Sequence, residues 1–298
     1  MRAQVNLLPD CRRLHLQDGP IDLIVEAFGR VPEIAAAYTA AISRFRTVLD
    51  ELCAELSLLR TPAGPHTAVP KGTTAMRMAW AVTPFAERTF ITPMAAVAGG
   101  VAEEILDAMI SAVPLSKAYV NDGGDIALHL APGEQFVIGM IDRPDRPSLF
   151  GKLILRSSDA VRGIATSGWR GRSFSLGIAD AVTVLASRAA MADAAATVIA
   201  NAVDLPGHPD IHRVPARSID PDSDIGDLLV TQSVPECSAE EIDRALTQGV
   251  AVAEQLRSEG LIHSAALHLQ AETRIVTCSN ELACVAETPQ SARSLVHA

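Results

Sequence analysis

A chain of mixed helix and strand is what the sequence predicts, on three observations. Ala181–Ala186 (AVTVLA) is a short β-branched, apolar run of the kind that forms a strand buried on both faces. The Ala-rich run that follows it, and the run from Pro32 to about Leu59, repeat apolar residues at helical spacing. Asp18-Gly19-Pro20 and Asn121-Asp122-Gly123-Gly124-Asp125 each interrupt two strand-like segments, as hairpin turns do.

In order, Arg13–Gln17 and Ile21–Phe28 form a first pair of strands. Pro32 opens a long helix to about Leu59, with Ile34, Ala37, Ala41, Phe45, Val48, Leu52 and Leu56 on one side. Residues 61–74 (TPAGPHTAVPKGTT) read as a surface loop and Met76–Val82 as a strand. Thr92-Pro93 supplies a capping hydroxyl and a first-turn proline for a helix running to Pro114. Gly99-Gly100 inside it costs roughly 1 kcal/mol per glycine relative to alanine. A neighbouring helix, a strand or a ligand at close approach would each account for that. Strands near 135–141 and 151–156 follow. Residues 205–229 make an irregular connector, Ser238 caps a helix ending at Gly260, and His263–Gln270 with Arg274–Cys278 close the chain as a hairpin.

Composition narrows the function. Lys and Arg number 25 against 35 Asp and Glu, a net charge of −10. A general nucleic-acid or anionic-membrane partner needs a basic face and is therefore not expected. Only 4% of residues are aromatic, so Ala and Gly at close-packed contacts must build the core. Five cysteines without a CxxC pair read as reduced, mostly buried thiols. The first residues hold no apolar core of signal-peptide length, and no run of eighteen apolar residues occurs, so a cytoplasmic location is expected. No sharp boundary divides residues 1–298, which are expected to form a single domain with a frayed tail from Glu287. His208 and His212 are separated by Pro209, and Asp220, Asp222 and Asp224 miss the register of a calcium loop, so neither is taken as a metal site.

Residues 163–204 carry the chemistry. Arg162, Arg170 and Arg172 lie in a glycine-punctuated bend that holds no carboxylate over residues 160–179. Ser187 is placed to cap the next helix, on which Asp193, Thr197, Asn201 and Asp204 are spaced 4, 4 and 3. Such a stripe suits either a solvated face or a set of hard oxygen ligands. Beside arginines and glycine amides, the second use fits a phosphate held with a cation.

Taken with Asn121–Ile126, this stretch resembles the ApbE superfamily, whose best-known members are Mg-dependent flavin transferases. AAVAGGVAEE (95–104) is similar to that family's glycine/alanine helix start, VNDGGDI (120–126) to its VNxGGDI, and IATSG (164–168) with VTVLASRAAMADAAAT (182–197) to its ATSG, VTV and ADALAT elements. The matches span about residues 90–205 in the family's order. The resemblance implies an α+β fold of two related sheet-and-helix halves with the ligand between them. It implies a divalent cation, Mg2+, on Asp193 and Thr197 with the carbonyl of Ala95 or Ala96, and a flavin nucleotide, FAD or a relative, lined by Gly123, Gly124, Asp125, Thr166, Ser167 and Gly168. Arg170 and Arg172 are added to that site from the residues alone.

The departures are specific. Where the flavin transferases carry an HxxDPxTG segment, this chain has Phe174–Asp180 (FSLGIAD), and Gly99 stands where they have lysine. The chain carries no lipobox, unlike most characterised members. The resemblance therefore implies a retained binding framework, with FMN transfer from FAD as one reading. The others are a non-catalytic flavin or nucleotide carrier with a protein partner, and a redox or sulfur-handling accessory protein.

Overall fold

A computed structural model of the chain describes residues 3–141 and 149–277. Strands β1 (Gln4–Leu7), β2 (Leu14–Asp18) and β3 (Ile21–Phe28) are followed by helices α1 (Val31–Ala54), α2 (Leu56–Leu59) and α3 (Thr73–Val82). A 3-10 turn, Pro93–Ala96, leads into α4 (Val97–Ala112). Next come β4 (Lys117–Asp122), β5 (Asp125–Leu130), β6 (Gln135–Ile141), β7 (Leu149–Arg156), β8 (Gly163–Ser167) and β9 (Ala181–Ala186). Helix α5 (Ala189–Ala202), strands β10 (His212–Pro215) and β11 (Leu229–Ser233), helix α6 (Ala239–Ser258) and strands β12 (Ser264–Leu269) and β13 (Glu272–Val276) complete it.

Nine of these strands form one antiparallel sheet in the order β1-β2-β3-β4-β5-β8-β9-β12-β13. The same unit occurs twice along it. Hairpin β2–β3, helices α1 and α4 and hairpin β4–β5 make the first. Hairpin β8–β9, helices α5 and α6 and hairpin β12–β13 make the second. The architecture is α+β, with two related halves that meet where β5 pairs with β8.

Strand alternation decides what each face covers. Leu16, Leu23, Val25, Val120, Ala165, Val182, Val184 and Leu267 point to the face that α1, α4, α5 and α6 cover, in one large apolar core. On the other face Leu128, Leu130, Ile164 and Leu185 pack under the β6–β7 hairpin, through Phe136, Ile138, Leu153 and Leu155. Among the described residues no helix is long and apolar enough to cross a membrane.

Several local expectations change. Met76–Val82 is helical, as the end of α3. Its buried residues, Thr74, Ala75, Met78, Ala81 and Val82, recur at three- and four-residue spacing, and the short apolar run concealed that period. The helix from Pro32 breaks at Glu55, whose carboxylate turns to accept the amides of Lys71 and Gly72. Ser187 does not cap α5. Arg188 is the N-cap, without a side-chain bond, and Glu103 of α4 accepts the Ala190 amide instead. The 205–229 connector contains β10 and runs into β11. Cys11 and Cys53 are exposed and only Cys237 is buried; Cys278, Cys284 and the tail from Glu287 lie outside the described residues.

The Glu103-Glu104 pair, buried on α4, ties four helices together. Glu104 receives Arg44 Nε at 2.8 Å, Arg77 Nε at 2.9 Å and the Thr73 hydroxyl at 2.8 Å. Glu103 receives Arg77 at 2.8 Å and also Arg188. Burial alone would raise the Glu104 carboxyl, but the bonds from Arg44, Thr73 and Arg77 outweigh it and hold it below the ordinary value. Its stabilisation is therefore complete above the unfolded carboxylate range and lost as pH falls through the lowered value. Glu104→Gln is expected to cost about 3 kcal/mol at neutral pH, because it breaks a buried pair and leaves two guanidinium groups underpaired. The cost should shrink towards pH 3, which urea unfolding at both pH values measures.

Candidate functional site

The candidate site lies at the seam of the two halves, at the β4–β5 turn. Asp122 and Asp125 are cross-strand partners that close this hairpin, with Gly123 and Gly124 between them. Both glycines have positive φ, 62° and 119°, which L side chains rarely adopt. Asn121 Oδ1 fixes the turn by accepting the Gly124 amide at 2.8 Å. A Cβ on Gly124 would meet no atom within 4 Å, so its backbone opens onto free space. Arg172 lies over Gly123, its guanidinium 3.1 Å from where a Cβ would stand.

Asp125 Oδ1 accepts the Thr166 amide at 3.1 Å, joining β5 to the end of β8. Asp193, in the first turns of α5, approaches from the helical side. Its Oδ2 accepts the Gly99 amide at 2.9 Å. Gly99 can serve there because it has no side chain. A Cβ would stand 2.6 Å from the Ala189 carbonyl carbon and 2.9 Å from the Ala190 nitrogen. The first glycine of the pair thus answers to helix α5, and the second, Gly100, to Met78 of α3.

Three carboxylates consequently act on one another. Burial, then the charge of Asp125, pushes Asp122 up to about 7, against the pull of the Asp22 amide and Arg172. Asp125 is raised by burial and by Asp193. Asp193 is raised by burial and by Asp122, and lowered by the Gly99 and Ala98 amides. Among the described residues no three His, Cys, Asp or Glu side chains converge as a complete ligand set. Any cation here would have to draw on hydroxyl, carbonyl and ligand oxygens as well.

The other residues singled out from the sequence divide into two groups. Thr166 bonds the Thr183 hydroxyl at 2.9 Å, and Ser167 ends β8 half-buried. Gly168 sits against the Ala179 and Asp180 carbonyls. Thr197 lies one turn beyond Asp193, half-buried, and α5 packs on the Pro93–Ala96 turn that holds Ala95 and Ala96. Arg170, by contrast, is committed to Asp180, with Nε 2.5 Å from its Oδ1, and stacks over Trp169 at 4.3 Å. Asp180 also accepts Trp169 Nε1 and the Gln270 amide, so it anchors the 168–180 loop. The helical oxygen stripe divides as well. Asn201 Oδ1 holds the Leu176 amide, and Asp204, beyond the helix end, pairs with Arg213.

Asp122 was not read from the sequence as a site residue. The signal was a carboxylate on the inward-facing phase of a strand that alternates through Ala118 and Val120.

A family model described as AbpE bacteria matches residues 5–275. The UPF0280 protein of Methanopyrus kandleri is 34% identical over 171 residues, 57% of this chain and 66% of that protein. The UPF0280 protein of Methanococcoides burtonii is 40% identical over 119 residues, 40% of this chain and 48% of that protein. The matched stretch thus spans about half to two thirds of these relatives. Among solved structures, the apo flavinyl transferase ApbE of Pseudomonas stutzeri is similar over 94% of this chain and 96% of its own, at 10% identity and TM-score 0.44. The flavin transferase ApbE of Vibrio cholerae is similar over 93% and 98%, at 13% identity and TM-score 0.41.

Proposed function

This chain belongs to the AbpE bacteria family and is an ApbE-like protein; from that membership and the site we propose that it binds a flavin nucleotide together with Mg2+ at the Gly123–Asp125 turn and transfers the FMN portion of FAD to an acceptor hydroxyl. The single observation that carries the reading is the Asp193 carboxylate held on the Gly99 amide, its charge felt by Asp125, which with Asp122 closes the side-chain-free glycine turn.

The residues fit such a ligand pair. Carboxylates that raise one another's protonation by burial and proximity gain most from a divalent cation, and Mg2+ takes oxygen donors while leaving positions for phosphate and water. Asp193 and Thr197, with a carbonyl of Ala95 or Ala96, would hold it. When bound, the cation supplies charge neutralisation at the phosphate oxygens. Gly123 and Gly124 keep the backbone open to the phosphates, and Arg172 offers them a cation from above. Asp125 holds the Thr166 amide, so that β8 and β5 stay in register beside the ligand.

Calorimetric titration with FAD tests the reading. Mg2+ should tighten FAD binding, and more so at pH 8 than at pH 6. Protons compete with the cation for the Asp193 carboxylate, raised to about 7, and that competition ends as pH climbs past this value. Equal FAD affinity with and without Mg2+ at both pH values would reject it. The carrier reading is favoured by the 174–180 segment, which brings no histidine and whose Asp180 is fully engaged. AMP release from FAD separates the two.

A further inference from the structure

The reading above leaves the transfer without a base, and one imidazole stands beside the turn without a role. His15 of β2 and Asp22 of β3 flank the first hairpin. In its register His15 faces Ile24 and Asp22 faces Gln17, so the two are diagonal neighbours on one face of the sheet. His15 Nε2 lies 2.7 Å from Asp22 Oδ1. The same register row continues from Ile24 to Asn121 of β4. This face is the one turned away from the helices. There His15, Asp22, Asn121, Gly123, Gly124 and Arg172 line an open depression of about 390 Å³. It backs onto the glycine turn whose other side carries Asp122 and Asp125.

We propose that His15, oriented by Asp22, is the general base that takes the proton from the attacking hydroxyl in the transfer reaction, with the depression as the subsite for a small hydroxyl-bearing acceptor; the proposal rests on the transfer reading above. An ionised Asp22 only accepts, so the Nε2–H donates to it and Nδ1 keeps the basic lone pair. Among the described residues Nδ1 makes no hydrogen bond. The acceptor oxygen forms its bond to the FMN phosphorus as the bond from that phosphorus to the bridging oxygen breaks. The acceptor's proton passes to Nδ1 and AMP leaves with the bridging oxygen. Arg172, at the rim over Gly123, faces the phosphate charge, while the side-chain-free turn lets a group in the depression reach it. Asp22 acts through His15 and is a positioning residue.

The test measures AMP release from FAD and Mg2+, with water and with N-acetylthreonine amide as acceptors, alongside FAD affinity and the thermal midpoint of each variant. His15→Gln should lower the rate about 100-fold with FAD affinity within twofold of wild type, the loss expected on removing a general base. His15→Ala should be slow and partly restored by added imidazole, which a purely structural cross-strand pair would not permit. Asp22→Asn should lower kcat about tenfold and leave KM unchanged, with Asp22→Glu restoring part of it. Full activity in His15→Gln, or no imidazole rescue of a folded His15→Ala, overturns the role of His15 and leaves the transfer reading standing. A wild type that binds FAD with Mg2+ but releases no AMP with either acceptor overturns the base and favours the carrier. A wild type that binds no FAD overturns both.

Discussion

Asp193→Asn should make the protein more stable and abolish the Mg2+-dependent FAD binding proposed above. Asp193 is raised by burial and by Asp122, so at neutral pH its charged form is disfavoured in the fold relative to the unfolded chain. A raised carboxylate adds stability only at low pH and subtracts it once the pH exceeds its unfolded value. Asparagine has nearly the same shape, still offers an oxygen to the Gly99 amide, and carries no charge to repel Asp122 or Asp125. The thermal midpoint without ligand should therefore rise at pH 8 and change little at pH 4. The variant also loses the one carboxylate that α5 presents to the turn, so Mg2+ should no longer tighten FAD binding, a loss of about 100-fold or more in the cation-dependent part. Gain of stability with loss of cation dependence would mark Asp193 as held in place for function. A variant with unchanged Mg2+ dependence would remove Asp193 from the site.

Gly99→Ala should cost about 2–3 kcal/mol, whereas Gly100→Ala, one residue on, should be neutral or stabilising. An alanine in a helix interior is ordinarily better than glycine by about 1 kcal/mol. At Gly99 the new methyl runs into the Ala189 carbonyl and the Ala190 nitrogen, backbone atoms at the start of α5 that cannot swing aside. At Gly100 it meets the Met78 Cγ at 3.1 Å, part of a flexible side chain. Moving α5 outwards would also draw Asp193 from the Gly99 amide, so Gly99→Ala should weaken FAD binding as well. Urea unfolding of the two single variants checks the first difference and calorimetry the second. Equal costs would mean that the α4–α5 crossing is looser than the structure has it.

What was legible in the sequence follows the range of the interactions concerned. The hairpins at Asp18-Gly19-Pro20 and Gly123-Gly124 and the α5 helix are written in local periodicity and turn chemistry, and they occur as read. The helix expected from Thr92-Pro93 begins only at Val97, because those two residues open a 3-10 turn ahead of it. Thr92 Oγ1 does accept the Met94 amide. The helix Thr73–Val82 was misread because its ten residues lie among Gly, Pro and Thr and its period is set by burial against α4 and α5. The cap of α5 was missed because it is supplied from another helix, by Glu103. Arg170 and Arg172 look alike in sequence, yet the first is tied down by Asp180, 10 residues away in the chain, and the second overhangs Gly123. The twofold plan of hairpin, two helices and hairpin left no visible repeat, since each half needs only the same apolar periods and not the same residues.

The join between the two halves is short. Strands β5 and β8 share only the Ile126–Ile164 and Ala127–Gly163 pairs, where β3 and β4 share six. The Leu128 amide on the Arg162 carbonyl extends this ladder at one end, and the carboxylate of Asp125 on the Thr166 amide at the other. Tension applied across the sheet would concentrate on this line and part it before the long ladders on either side. The α4–α5 crossing spans the line like a splint, and Asp125 is the rivet at its end. A ligand at the turn that drew on Asp125 would compete with the Thr166 amide for that carboxylate and so loosen the join between the halves.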